Sequence, residues 1–270
     1  MPPNGGKLQA INIKSAPDME TRDKLSTKEN FLSLIKMQAG FIEKWKKDIE
    51  NLKDSENKGI QLYSLPNFEV IQNGNEEILH YEYDNLLATY SAGEDIDKIL
   101  PLYKKIVSLM GIAWHKENGY VQMVNMLSIG ILLDVKDVTS NELAMIIQRD
   151  NPNDFLVDYL LHHKCKTDIT PNADSFLYGR PYQATREIVL LADKDKEASI
   201  KRLKKYLSQE WYRGHSDCGW HNIPKVNIYA HSGYWSFESG ALVKILGLDD
   251  SSLKGLQYYP YDMVHWNDTK

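Results

Sequence analysis

The chain has 270 residues, 42% of them hydrophobic and 26% charged, enough to bury a sizeable core without crosslinks and unlike a disordered or collagen-like chain. Acidic residues outnumber basic ones 37 to 32, a formal net charge of −5. That balance argues against broad contact with nucleic-acid phosphates and suits a cationic partner.

Residues 1–18 hold two early prolines, a Gly-Gly pair and no periodic apolar pattern, so they read as a mobile tail with no apolar core of an export signal. Ser26 or Thr27 then offers an N-cap, and Phe31, Leu34, Ile35, Phe41, Ile42, Trp45, Ile49 and Leu52 line one face of a helix of about 26 residues. From Leu62 to Gly74, Pro66 and the Asn73-Gly74 pair predict a break with a short irregular hairpin. Helical spacing resumes over about 75–91, 95–112, 119–134, 139–149 and 154–164. The apolar stretch Tyr120 to Leu133 carries Gln122, Asn125 and Ser128 and falls short of the roughly 20 residues that span a bilayer.

Pro171 and the run TPNAD interrupt the pattern. Pro181 suits the first turn of a helix through Ala184, Ile188, Leu191 and Ala192. The short Asp193–Asp195 connection then forces an antiparallel hairpin with a helix carrying Ile200, Leu203, Tyr206, Leu207 and Trp211, ended by Gly214. The expected fold is all-α, a multi-helix bundle of antiparallel helical hairpins, with a tail at 1–18, an N-terminal helical domain over 19–137 and a C-terminal helical domain over 138–270.

Phosphate-binding glycine loops, H-E-x-x-H and G-x-S-x-G are absent. His215, Asp217, Cys218 and His221 are competent zinc ligands, as are His162, His163 and Cys165, but neither group has a recognised zinc spacing, and polar loop residues are the simpler reading. The pair Cys165 and Cys218 could form at most one bridge, which fits a reducing cytoplasm. Lys201, Arg202, Lys204, Lys205 and Arg213 sit opposite the Ile200/Leu203/Leu207 stripe, as a solvated face does.

Charge is far from even. Residues 51–100 hold 10 acidic and 3 basic groups, so the rest of the chain is close to neutral. Within this stretch Glu76, Glu77, Glu82, Asp84, Glu94, Asp95 and Asp97 surround Tyr81, Tyr83 and Tyr90. Two readings compete, a solvated helix face and an acidic docking surface with tyrosine anchors. Near the C-terminus, GYWSFESGALVKIL puts Trp235, Leu242, Ile245 and Leu246 on one helical side with Glu238 among them. Glu238 is then a hydrogen-bonded buttress or an acid of raised pKa.

The stretch GYWSFESGALVKILGLDDSSLKGLQYYPYDMVHW (233–266) resembles the C-terminal signature of the PoNe immunity proteins. GRPYQATREIVLLAD (179–193), KYLSQEWYRGHSDCGWH (205–221) and RDKLSTKENFLSLI (22–35) are similar to further blocks of that family. The resemblance implies a helical protein of the bacterial cytoplasm that protects its maker from a cognate polymorphic DNase toxin of interbacterial competition, delivered by type VI or related secretion. Such a protein binds the nuclease and blocks it with no catalytic residue, cofactor, metal, direct nucleic-acid contact or membrane contact of its own. Gly233, Tyr234, Trp235, Ser236, Glu238, Tyr259, Pro260, Tyr261 and Asp262 match the family's motif and read as determinants of its fold. The acidic 69–97 segment is the expected docking charge. A metal-dependent hydrolase built on His215, Asp217 and His221 with Glu238, or a helical regulatory scaffold, are the alternatives.

Overall fold

A computed structural model describes residues 21–165 and 175–268, apart from the side chains of Asn118, Val138 and Cys165. The tail expected at 1–18, the TPNAD run and the Cys165 thiol lie outside the described residues. Every regular element among the described residues is helical. None of these helices is long and apolar enough to cross a membrane.

The chain opens on α1 (Lys28–Asn57), where the Thr27 hydroxyl accepts from the Asn30 amide at 3.2 Å. Phe31, Leu34, Ile42, Ile49 and Leu52 turn its apolar face inward, while Phe41 lies 43% exposed. The expected hairpin over 62–74 is not formed. Only 58–66 is irregular, and α2 (Asn67–Ser91) runs straight through Asn73-Gly74. The reason is packing. A Cβ on Gly74 would stand 2.8 Å from Trp45 and 3.1 Å from Ile49, so this glycine allows α1 and α2 to approach rather than turning the chain. Asn67, which donates to Ile60 O and accepts from Leu62 N, ties the short loop to the start of α2.

A 3₁₀ turn (Ile96–Lys98) leads into α3 (Ile99–Ala113), followed by α4 (Lys116–Leu132), α5 (Val138–Asp150) and α6 (Phe155–Cys165). Met123, Val124, Met126, Leu127, Ile129 and Leu132 are almost wholly buried, so α4 forms the axis of the molecule. Asp137 caps α5 through the Thr139 amide, and Asp154 caps α6 through the Val157 amide.

The expected antiparallel hairpin is present as α7 (Gln183–Ala192) and α8 (Lys196–Lys205), bolted together by the Ser199 hydroxyl donating to Ile188 O at 2.8 Å. Two details differ. Pro181 stands ahead of α7, packed against Gly214, and not in its first turn. The expected continuous helix to Gly214 is split by a π-turn (Tyr206–Glu210) before α9 (Trp211–Gly214). The widened turn leaves Tyr206, Leu207 and Trp211 all buried.

Short helices α10 (Ile223–Val226), α11 (Phe237–Leu246) and α12 (Tyr261–Val264) complete the chain. Trp235 lies before α11, not on its stripe, and Gly247 ends the helix at φ 58°. At Gly240, a Cβ would stand 2.9 Å from Val264 and 3.0 Å from Pro260, so the glycine lets α11 settle between α4 and the last turn. One hydrophobic cluster runs from Leu79 through α4 to Leu242 and Val264, joining both halves of the sequence.

Candidate functional site

The 233–262 signature is held against the C-terminal end of α2. Ser91 is the junction. Its hydroxyl donates to Ser232 O at 2.9 Å and accepts from the Trp235 indole at 2.8 Å, while its carbonyl accepts from the Arg22 and Asp23 amides. Gly233 passes over Ser91 at φ 126°, where a side chain has no room. Trp235 meets Tyr90 edge-on, with ring centroids 4.8 Å apart.

Arg22 and Asp23 reach across more than 200 residues of sequence. Asp23, 6% exposed, accepts from His231 Nε2 at 2.9 Å, the Tyr234 amide at 3.0 Å and the Leu25 amide at 2.8 Å. Arg22 donates to Asp262 at 2.9 Å and lies over the Tyr90 ring. Neither residue stood out in the sequence except as the first letters of a family block. Their clamp gives His231 a role, the hydrogen-bonding partner of a buried carboxylate.

Glu238 is 1% exposed and accepts at Oε1 from the hydroxyls of Tyr206 (2.9 Å) and Ser236 (2.6 Å). Burial raises its pKa and the two hydroxyls oppose the rise. Closed on all sides, it is a buttress. Tyr259, 3% exposed, donates to Asp250 at 2.6 Å, and Pro260 is buried beside it. Tyr261 is half-buried beneath the Lys254 ammonium.

The acidic segment separates into two groups. At the C-terminal end of α2, Glu94 is paired with Lys28 (3.0 Å) and Lys98, which hold its carboxyl below the usual range. Asp95 caps the 3₁₀ turn through the Asp97 amide, and both side chains face solvent. About 20 Å away along the helix, Glu76, Glu77, Tyr81 and Asp84 face a cleft. Two expected contact residues point elsewhere. Glu82, 4% exposed, is bound to Lys105 at 2.5 Å, and Tyr90 is fully buried beneath Arg22 and Trp235. As folded, neither can touch a docked partner. Tyr83 lines the cleft but spends its hydroxyl as acceptor of the Asn125 amide at 2.5 Å, and burial pushes its pKa up.

The cleft has a volume of about 960 Å³. One wall comes from α1, α2 and the start of α4; the other is formed by Tyr178–Tyr182, the 214–220 loop and residues 230–235. The HSDCGWH loop therefore faces the acidic helix. Its ligand-like residues are otherwise engaged. Nδ1 of His215 donates to Trp211 O at 2.7 Å and Nε2 accepts from the Tyr182 hydroxyl at 2.8 Å. Burial lowers its pKa to about 4, so the ring is neutral. His221 stacks on Tyr212 and binds Asn222, and burial pushes the Cys218 thiol up to about 11. Among the described residues no group of three His, Cys, Asp or Glu side chains is arranged to hold a metal ion. The hydrolase constellation of His215, Asp217, His221 and Glu238 is therefore not assembled. On the other helical hairpin, Arg202 bridges Glu187 and Glu210 and Lys201 pairs with Glu197, an ordinary solvated face.

The described residues thus form an all-α bundle closed around a buttressed C-terminal signature. The N-terminal sequence profile of the PoNe immunity proteins (PoNi) matches residues 22–145 and the C-terminal profile matches residues 152–263. The chain belongs to the PoNe immunity protein family. The fold is similar to that of protein PA2201 from Pseudomonas aeruginosa, a crystal structure with a TM-score of 0.54 and 17% identity over 91% of this chain and 97% of that one. No curated protein matches the chain.

Proposed function

We propose that the protein protects the cell that makes it by binding a cognate polymorphic DNase toxin in the cytoplasm and covering its basic DNA-contacting surface. The carrying observation is membership of the immunity family along nearly the whole chain, residues 22–145 and 152–263. The charge pattern supports the nuclease target. A DNase needs a positive groove for phosphates, and this chain concentrates its negative charge in one segment, with Glu76, Glu77 and Asp84 opening on a cleft. Such a field speeds encounter with a basic protein and competes with DNA for the same surface. Nothing in this reading requires chemistry of the inhibitor's own.

The test is co-expression with the nuclease domain of a candidate DNase toxin from the same genome. Cells should survive only with the immunity chain, and the purified complex should fail to cut plasmid DNA. Survival without physical association would remove the proposed mechanism.

A further inference from the structure

We infer that the cleft between the α1–α2 face and the 214–235 wall is the socket for an arginine- or lysine-bearing segment of the toxin. The inference rests on the immunity reading and gives it a location, which includes C-terminal residues that the acidic segment alone would not have indicated.

Charge comes first. Glu76, Glu77 and Asp84 line one side, Glu117 the mouth of α4, and Asp217 the facing loop. Against these five carboxylates the lining contains one permanent cation, Arg180. Each of the four histidines already has a neighbour within the chain. His215 is neutral and doubly hydrogen-bonded, and His231 is bound to Asp23. His115 faces Glu76 at 3.1 Å, and His80 faces Asp84 at 3.7 Å.

A second observation is independent of charge. Gln38 lines the cleft at 4% exposure, and its Oε1 accepts no hydrogen bond. Its amide nitrogen is turned towards Asp84 Oδ2 at 3.5 Å, which fixes the carbonyl as the free end. A buried acceptor without a donor costs about 1–3 kcal/mol, and here it stands beside a carboxylate. An entering guanidinium or ammonium supplies N–H groups to both. Asp84 is half-buried and accepts from the Ser232 hydroxyl at 3.2 Å; burial raises its pKa, while His80 and these hydrogen bonds oppose the rise.

Aromatic walls complete the match. Tyr81, Tyr178 and Trp220 line the cleft and Phe41 stands at its rim. Rings of this kind hold a cation over their faces and cover the aliphatic stem of an Arg or Lys. An anionic or purely apolar occupant would meet five carboxylates with Arg180 as the one permanent cation among the lining residues.

The experiment measures binding of the full chain to the nuclease domain that it protects against in co-expression, by calorimetry, at low and at about 150 mM salt. The cleft variant is Glu77→Lys with Asp217→Lys, both exposed positions. The control, Glu50→Lys with Asp54→Lys, makes the same charge change on exposed α1 sites about 20 Å from Gln38. The cleft variant should bind roughly 30-fold more weakly and lose most of its salt dependence, while the control stays near wild type. Gln38→Leu, which removes the acceptor and no charge, should weaken binding by roughly 10-fold. Circular dichroism confirms the fold of each variant. If wild type binds and the cleft variants bind equally well, the socket is wrong and the immunity reading stands. If wild type does not bind the nuclease, the immunity reading itself fails. A wild-type dimer in sedimentation, lost in the cleft variants, would assign the socket to a second copy and overturn the inference.

Discussion

Gly233→Ala is the sharpest test of how the signature is held. At φ 126° an L-residue is strained by about 1–3 kcal/mol. The added Cβ would also stand 2.9 Å from the Trp235 indole nitrogen, 3.1 Å from Ser91 Cβ, and in outright overlap with Ser91 Oγ. Making room breaks the Trp235–Ser91 hydrogen bond and strands a buried indole donor, a further cost of about 1–3 kcal/mol. The variant should therefore lose about 3–5 kcal/mol in urea unfolding and roughly 10 °C in melting temperature. The argument also predicts non-additivity. In a Ser91→Gly background the overlap with Ser91 and the Trp235–Ser91 bond are both already gone, so Gly233→Ala should there cost only the backbone strain and the close approach to Trp235, a coupling of about 2 kcal/mol. A Gly233→Ala protein within about 1 kcal/mol of wild type, or two costs that simply add, would refute the reasoning.

Other consequences are as direct. Asp23→Ala orphans the His231 ring and the Tyr234 amide and should cost about 3–5 kcal/mol in chemical denaturation, with Asp23→Asn recovering part of it. Lys105→Met leaves the buried Glu82 carboxylate without its cation and should cost about 2 kcal/mol, restored by adding Glu82→Gln; an unchanged urea midpoint would show that Glu82 needs no partner. His215 titrates near 4 when folded and at 6.5 when unfolded, so the unfolded chain takes up the extra proton first. Its contribution is complete above 6.5 and is lost as pH falls towards 4, about 3 kcal/mol in all. Urea midpoints of wild type and His215→Gln should therefore converge across that window, and parallel curves would show that His215 is not the titrating group.

Most of the helical frame was legible, and for a plain reason. Leu34, Ile42 and Ile49 on α1 and Ile188 and Leu203 on α7 and α8 follow helical spacing and are buried where that spacing puts them. What misled was glycine and proline. Asn73-Gly74 has the composition of a turn, but Gly74 serves a contact with Trp45 that no local pattern encodes. Trp235 continues the α11 stripe in spacing, although the helix begins two residues later and the indole is drawn off to Ser91. The acidic stretch was visible as composition and not as geometry. Its sequence neighbours Glu76 and Glu82 face a cleft and a lysine respectively, because adjacent helical turns see different surroundings. The cleft could not be read at all, since Gln38 and Asp84 meet only through the packing of α1 on α2, and Asp217 is set opposite them only by the closure of the two halves.

The Arg22–Asp23 clamp has a consequence for how the fold closes. Its partners, His231, Tyr234 and Asp262, stand at sequence separations of 208, 211 and 240. Closing loops of that length carries an entropic cost that local helix contacts do not. The clamp therefore works as a clasp, tying residues 231–262 to the end of α2 so that loosening either strap frees both cleft walls together.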